Sequence, residues 1–296
     1  MSTRYIIGAS GYVGTAFARA LKTEAAGNTL KLVRSTNCVE ASANMLRGYS
    51  EYQASISAFA PDELFMCMGS ADVDYCEKNP RHAKEINLEI PLKYVTAGLT
   101  SNPHLSIVVV STCYVYGQDS PEQGFTEKIE PQPISVYGKY KLQLEREVRL
   151  LCARSVVIRT PFLVGNPSHQ KDFIGSVYRT LSNNEKVIID DSIRFPTHVG
   201  DLASVAMHLM SNGEYGIYHF SCNEQTSRYD MAIYIASKLG PTAINKVSHL
   251  TTFDQGNLRP RFLKLATDHK MLAAYNTRSW RKVIDVFLAQ MGHKLN

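Results

Sequence analysis

The sequence predicts an α/β fold, a doubly wound parallel sheet with a smaller C-terminal lobe. Three observations carry this. A strand, a glycine turn and a helix follow one another between Arg4 and Leu21. The near-continuous β-branched run Leu105-Ser106-Ile107-Val108-Val109-Val110 suits a central parallel strand covered on both faces. After Gly165 the composition changes to mixed polar loops and helices, which sets off the second lobe.

The 296 residues allow one large or two modest domains with a substantial core. Apolar content of 44% and charged content of 20% are those of an ordinary globular protein. The net charge of +5 suits an anionic ligand or scattered surface lysines and arginines equally, and without a dense basic run nucleic acid is not indicated. The six cysteines form no CxxC pair and no metal-ligand spacing, so neither a disulfide framework nor a metal site is expected. With no secretory signal and no apolar run approaching the ~20 residues of a membrane span, the expected location is cytoplasmic, without a membrane partner.

Taken in order, Arg4-Tyr5-Ile6-Ile7 reads as a buried strand. Gly8-Ala9-Ser10-Gly11-Tyr12-Val13-Gly14 follows it, then a helix from Thr15 to Leu21 with Phe17, Ala18 and Leu21 on one side. In that context Gly8 permits a tight turn, Gly11 lets the backbone approach a pyrophosphate, and Gly14 lets the helix pack close to the sheet. Ser10, Tyr12 and Val13, within the turn, are candidate cofactor contacts beside a helix N-terminus that offers free N–H groups to an anion. Leu30 to Val33 reads as the second strand. An acidic residue at its end would hold a ribose 2′-hydroxyl, but the strand runs into Arg34 and Ser35. An arginine there can pair with a 2′-phosphate, which favours NADPH over NADH; the alternative is a solvated loop arginine. Pro61 to Gly69 reads as a strand with soft or small residues, Met68 and Gly69, at its end, and a helix runs on through Asn87. Leu105 to Val110 ends in Ser111 and Thr112, hydroxyls at a strand's carboxyl end, where open α/β sheets bind ligands.

Ser135 is placed to cap a helix that carries Tyr137 and Lys141. Four residues apart, the two lie on one helix face, where an ammonium held near a phenol would lower the phenol's pKa. Tyr137 is then a candidate proton donor to a carbonyl oxygen, with Lys141 tuning it and binding a ribose. Leu144, Val148 and Leu151 continue the apolar face of this helix. Ser155 to Thr160 is the next strand. Lys186 to Thr197 reads as a strand and loop, Gly200-Asp201 opens a helix, and Gly216 to Phe220 reads as a return to the main sheet. Trp280, Val283, Val286 and Phe287 form an apolar face on the last helix.

The GxxGxxG spacing from Gly8 to Gly14, together with the YxxxK pair Tyr137 and Lys141, resembles the extended short-chain dehydrogenase/reductase superfamily, whose fold is of Rossmann type. Val73-Asp74-Tyr75-Cys76-Glu77-Lys78-Asn79-Pro80 with Asn87, the Ile158 to Gly165 stretch, and Arg259-Pro260 resemble the dTDP-4-dehydrorhamnose reductase family within it. The resemblance implies NADPH-dependent reduction of the 4-keto group of a nucleotide-diphospho-4-keto-6-deoxy sugar. Thr112, Tyr137 and Lys141 would be catalytic. Met68, Gly69, Ser111 and Pro161 would join the glycine turn, Arg34 and Ser35 around the cofactor, and Cys113, Tyr114, Arg194 and Arg259 would meet the substrate. Residues 1–165, with a return segment at about 195–222, would bind the dinucleotide; about 166–194 and 223–296 would form the substrate lobe. A homodimer is the superfamily's habit.

One departure keeps alternatives open. Cys113 stands where that family has aspartate, and it resembles instead the cysteine of GDP-fucose synthase, which implies a bifunctional epimerase-reductase. His169 falls a few residues early for the accompanying histidine, whose place aligns nearer Asp172. Cys113 is otherwise a small residue shaping the pocket, or incidental. A sugar-nucleotide 4-epimerase and a non-catalytic, nucleotide-binding regulatory subunit are the remaining readings.

Overall fold

A computed structural model describes residues 2–23, 29–34, 45–250 and 258–292. It divides into two compact units, Met1–Gly117 with Glu130–Arg159 and Ala203–Tyr218, and Gln118–Ile129 with Thr160–Leu202 and His219–Asn296.

The first unit is built on one sheet. Its strands are β1 (Thr3–Ile7), β2 (Thr29–Arg34), β3 (Met45–Arg47), β4 (Glu63–Met66), β5 (Ser106–Thr112) and β6 (Ser155–Thr160), with Gly216–His219 at one edge. The order across the sheet is Gly216–His219, β6, β5, β4, β1, β2, β3. The pairs β1–β2, β2–β3, β1–β4 and β4–β5 are parallel, with Ile7 opposite both Val33 and Met66, and Met66 opposite Val109. From β1 the chain builds outward through β2 and β3, then returns to β4 on the other side. The carboxyl ends of β1 and β4 therefore form a topological switch point, the place where such sheets bind ligands.

Apolar side chains from alternate strand positions, among them Tyr5, Ile7, Leu64, Met66, Ile107, Val109 and Val157, pack against Tyr94, Val95, Leu144 and Val148 of the covering helices. Full burial of each such aliphatic contributes about 1.5–3 kcal/mol. The first helix begins at Tyr12, three residues before the expected Thr15, so Gly14 lies inside it. Leu151 does not continue the apolar face of its helix: it ends the helix and is half exposed. The second unit has its own core, where the helices Phe173–Ser182, Arg228–Leu239 and Trp280–Gln290 meet through Phe173, Val177, Met231, Ile235, Trp280, Val283 and Phe287. Val286, expected on that apolar face, is partly exposed instead. Among the described residues, no helix is long and apolar enough to cross a membrane, and no cluster of His, Cys, Asp and Glu could hold a metal ion.

Candidate active site

At the switch point β1 runs into the glycine turn. Gly8 has φ +82°, and a β-carbon there would sit 2.8 Å from the Met68 backbone. The Gly11 N–H donates to the Gly8 carbonyl at 2.9 Å. Gly14 rests on the same carbonyl, since a β-carbon on it would lie only 2.1 Å from the oxygen, so the helix Tyr12–Thr23 packs directly onto the turn. Tyr12 and Val13 are its first two residues. The Ser10 hydroxyl is buried and has no hydrogen-bond partner among the described residues. A helix N-terminus, a turn that no side chain obstructs, and a buried hydroxyl awaiting a partner fit the pyrophosphate of a dinucleotide. On the β4 side, the Cys67 N–H donates to the Ile7 carbonyl at 2.9 Å. Met68 and Gly69 follow, and the Ser70 N–H donates to the buried Asn87 side chain at 2.9 Å. Asn87 lies in a π-helical turn, Glu85–Glu89, a local widening common at functional sites. Arg34 closes β2; its side chain, and all of Ser35, lie outside the described residues.

β5 extends past β4 to Thr112 and then folds into the short 3₁₀ turn Cys113–Val115, with the Thr112 hydroxyl accepting from the Tyr114 N–H at 3.2 Å. The helix Val136–Leu151 enters beside it, capped by Ser135, whose hydroxyl accepts from the Gly138 N–H at 3.1 Å. Glu77 accepts from the Val136 N–H at 2.5 Å and fixes the entry. This brings Thr112, Cys113, Tyr114 and Tyr137 together. The Thr112 hydroxyl and Cys113 are both close enough to the Tyr137 phenol to act on its ionisation, and the Tyr114 and Tyr137 rings meet edge-on at 6.3 Å. Lys141, one turn on, is buried and donates from Nζ to the Val110 carbonyl at 2.7 Å.

The electrostatics differ from the expectation that Lys141 lowers the Tyr137 pKa. Burial pushes the Tyr137 phenol above its ordinary value, and the opposing pull is the hydrogen bond from Thr112. Lys141 is itself pulled down to about 8 by burial, against the field of Glu145 and a smaller effect of Cys67. Its ammonium is engaged with a main-chain carbonyl of β5.

The Ser111 hydroxyl points to the covering helix, donating to Glu145. Glu145 in turn takes the Arg159 guanidinium at 2.7 Å, and Arg159 donates to the Tyr116 hydroxyl at 2.9 Å. Sequence reading did not single out this pair. The signal was available: Glu145 stands four residues beyond Lys141 on the face of Leu144 and Val148, and Arg159 ends the apolar run Val156-Val157-Ile158. Opposite charges in two buried segments call for pairing.

The remaining expected residues, Pro161, Arg194 and Arg259, belong to the second unit. Arg194 lies in the short strand Ile193–Arg194, paired with Thr226–Ser227. The Phe195 and Phe262 rings meet at 5.6 Å, which brings the segments bearing Arg194 and Arg259 into one neighbourhood. Asp172 is fully buried and accepts from the N–H groups of Gly165, Asn166, Ile174 and Gly175 at 2.8 to 3.2 Å. It is a helix cap and loop clamp with no oxygen left for acid–base work. His169 beside it accepts from the Lys171 N–H, and burial holds its imidazole below the usual range.

Comparison with known proteins places this geometry. The Bacillus subtilis spore coat polysaccharide biosynthesis protein SpsK is 28% identical over 98% of this chain and 98% of its own length. A dTDP-4-dehydrorhamnose reductase of Aggregatibacter actinomycetemcomitans is 30% identical over 70% of this chain and 72% of its own. The methionine adenosyltransferase 2 subunit beta of Danio rerio is 30% identical over 61% of this chain, which spans 57% of that protein. A Bacillus anthracis dTDP-4-dehydrorhamnose reductase solved with NADP shares the fold, at TM-score 0.80 and 24% identity over 98% of this chain and 99% of that one. Residues 3–293 match the RmlD substrate binding domain, and the chain belongs to that family.

Proposed function

We propose that the protein is an NADPH-dependent reductase of the 4-keto group of a nucleotide-diphospho-4-keto-6-deoxy sugar. The observation that carries this is the meeting of Thr112 and Tyr137 at the end of β5, with Lys141 one turn away, in a sheet whose switch point presents the glycine turn and the unpartnered Ser10 hydroxyl. The dTDP-4-dehydrorhamnose reductase among the relatives supports the substrate class. Gly8, Ser10, Gly11, Tyr12 and Val13 would hold the pyrophosphate and Met68 and Gly69 the ribose, while Arg34 at the end of β2 favours a 2′-phosphate. NADPH, when bound, supplies the hydride for the keto carbon.

Tyr137 gives its proton to the keto oxygen as charge gathers there; burial keeps the phenol protonated and ready to donate. The Thr112 hydroxyl, beside the phenol, orients that oxygen at a site where Thr112 and Tyr137 are both buried. Lys141, one helical turn on, would hold the nicotinamide ribose. Arg194 and Arg259 are the candidate contacts of the nucleotide phosphates.

The test is NADPH consumption with a panel of nucleotide-linked 4-keto-6-deoxy sugars, NADH run in parallel, and Tyr137→Phe as control. Turnover with one sugar, lost in the variant, is the expected result. The name of the methionine adenosyltransferase relative favours a second reading, a nucleotide-binding regulatory subunit. In that case wild type and Tyr137→Phe would bind NADPH alike and neither would turn over.

A further inference from the structure

Beneath the Tyr137–Lys141 face lies a polar network that the proposed chemistry does not touch. Glu145 and Arg159 are 1% and 2% exposed, about as buried as ion pairs become. Arg159 meets Glu145 through Nε to Oε1 at 3.2 Å and through a terminal nitrogen to Oε2 at 2.7 Å, a two-pronged pairing that fixes both side chains. The remaining bonds of the pair reach outward. Glu145 accepts from Ser111, the residue before Thr112, and Arg159 donates to Tyr116, the residue after the Cys113–Val115 turn. The segment carrying Thr112, Cys113 and Tyr114 is thus held at both ends by one ion pair, and the carboxylate of that pair sits on the helix of Tyr137 and Lys141.

We propose that Glu145 and Arg159 are positioning residues of this site: they lock the Thr112–Tyr114 segment in register with Tyr137. The proposal rests on the reading of Thr112, Tyr137 and Lys141 given above. A buried pair of this kind is weak evidence for stability but well suited to specifying one arrangement. Its second role follows from spacing. Lys141 and Glu145 are one helical turn apart, and burial acts against the ammonium while the carboxylate acts for it. The titratable groups acting on Lys141 are Glu145 on its own helix and Cys67 beyond β4; Arg159 of β6 and Ser111 of β5 act on Glu145.

The experiment uses the full chain with Glu145→Gln, Glu145→Asp and the double variant Glu145→Gln, Arg159→Met. Lys141 is titrated by side-chain NMR in the free protein, and kcat and KM are measured with NADPH and a dTDP-4-keto-6-deoxy sugar across pH. Glu145→Gln is expected to move the Lys141 titration, and the alkaline limb of kcat, to lower pH. It should also lower kcat by roughly ten- to a hundred-fold through misplacement of Thr112. Glu145→Asp, which keeps the charge but shortens the reach to Ser111, should restore the titration without restoring all of kcat. Should Glu145→Gln alone fail to fold, the double variant carries the titration, because the Arg159 guanidinium is then not left buried without its partner. A folded variant lacking the carboxylate whose Lys141 titrates as in wild type overturns the proposal. Absence of turnover in wild type fails the reductase reading instead, and the Lys141 titration still decides this one.

Discussion

A β-carbon on Gly138 would lie 2.2 Å from the carbonyl oxygen of Tyr114. The helix of Tyr137 and the turn after Thr112 touch backbone to backbone, and this contact sets how near the phenol comes to the Thr112 hydroxyl. Gly138→Ala should therefore push helix and turn apart. A loss of roughly 1–3 kcal/mol in stability is expected from overpacking, with a larger relative fall in kcat. Thermal unfolding and steady-state kinetics on the one variant separate the two.

Ser10 provides a test of the dinucleotide site that does not depend on turnover. Its hydroxyl is buried without a partner among the described residues, so Ser10→Ala should leave the free protein as stable as wild type or slightly more so. If a phosphate oxygen is its partner, the same change should weaken NADPH binding by about tenfold. Titration calorimetry with NADPH checks this; unchanged affinity would count against the assignment.

Lys141 carries a pH signature. Its folded value, about 8, lies below the ordinary 10.5 because burial opposes the ammonium. Between those values the unfolded chain binds the proton and the folded chain does not, so the contribution to stability is present above the unfolded value and is lost as pH falls through about 8. Relative to Lys141→Met, the cofactor-free wild type should gain stability from pH 8 to 10.5, on the order of 3 kcal/mol in all. Urea denaturation across that range gives the measurement, and a flat difference would mean that Lys141 is not buried as an ammonium.

Asp172 should behave as a structural carboxylate. With four N–H groups depending on it, Asp172→Ala is expected to destabilise the second unit by roughly 3 kcal/mol or more. Hydrogen exchange should show the loss first at Gly165, Asn166, Ile174 and Gly175. If Asp172→Ala were stable but inactive, a catalytic role would replace the structural one.

Much of this protein was legible in the order of its residues. The strand Arg4-Tyr5-Ile6-Ile7, the glycine turn from Gly8 and the helix after it were readable as one strand–turn–helix unit, while the strand order that makes its end a switch point was not. The spacing of Tyr137 and Lys141 placed both on one helix face, and Ser135 capped that helix as its hydroxyl type suggests. These are local properties, set by backbone sterics and helical period. The packing around them determined the rest. No spacing rule says that Lys141 turns to the Val110 carbonyl, that burial outweighs any cation in setting the Tyr137 phenol, or that Ser111 faces Glu145 instead of a ligand. Desolvation depends on everything that surrounds a group, and Glu145, Arg159 and the segment from Ser111 to Tyr116 come from three separate stretches that only the packing of helix on sheet brings together.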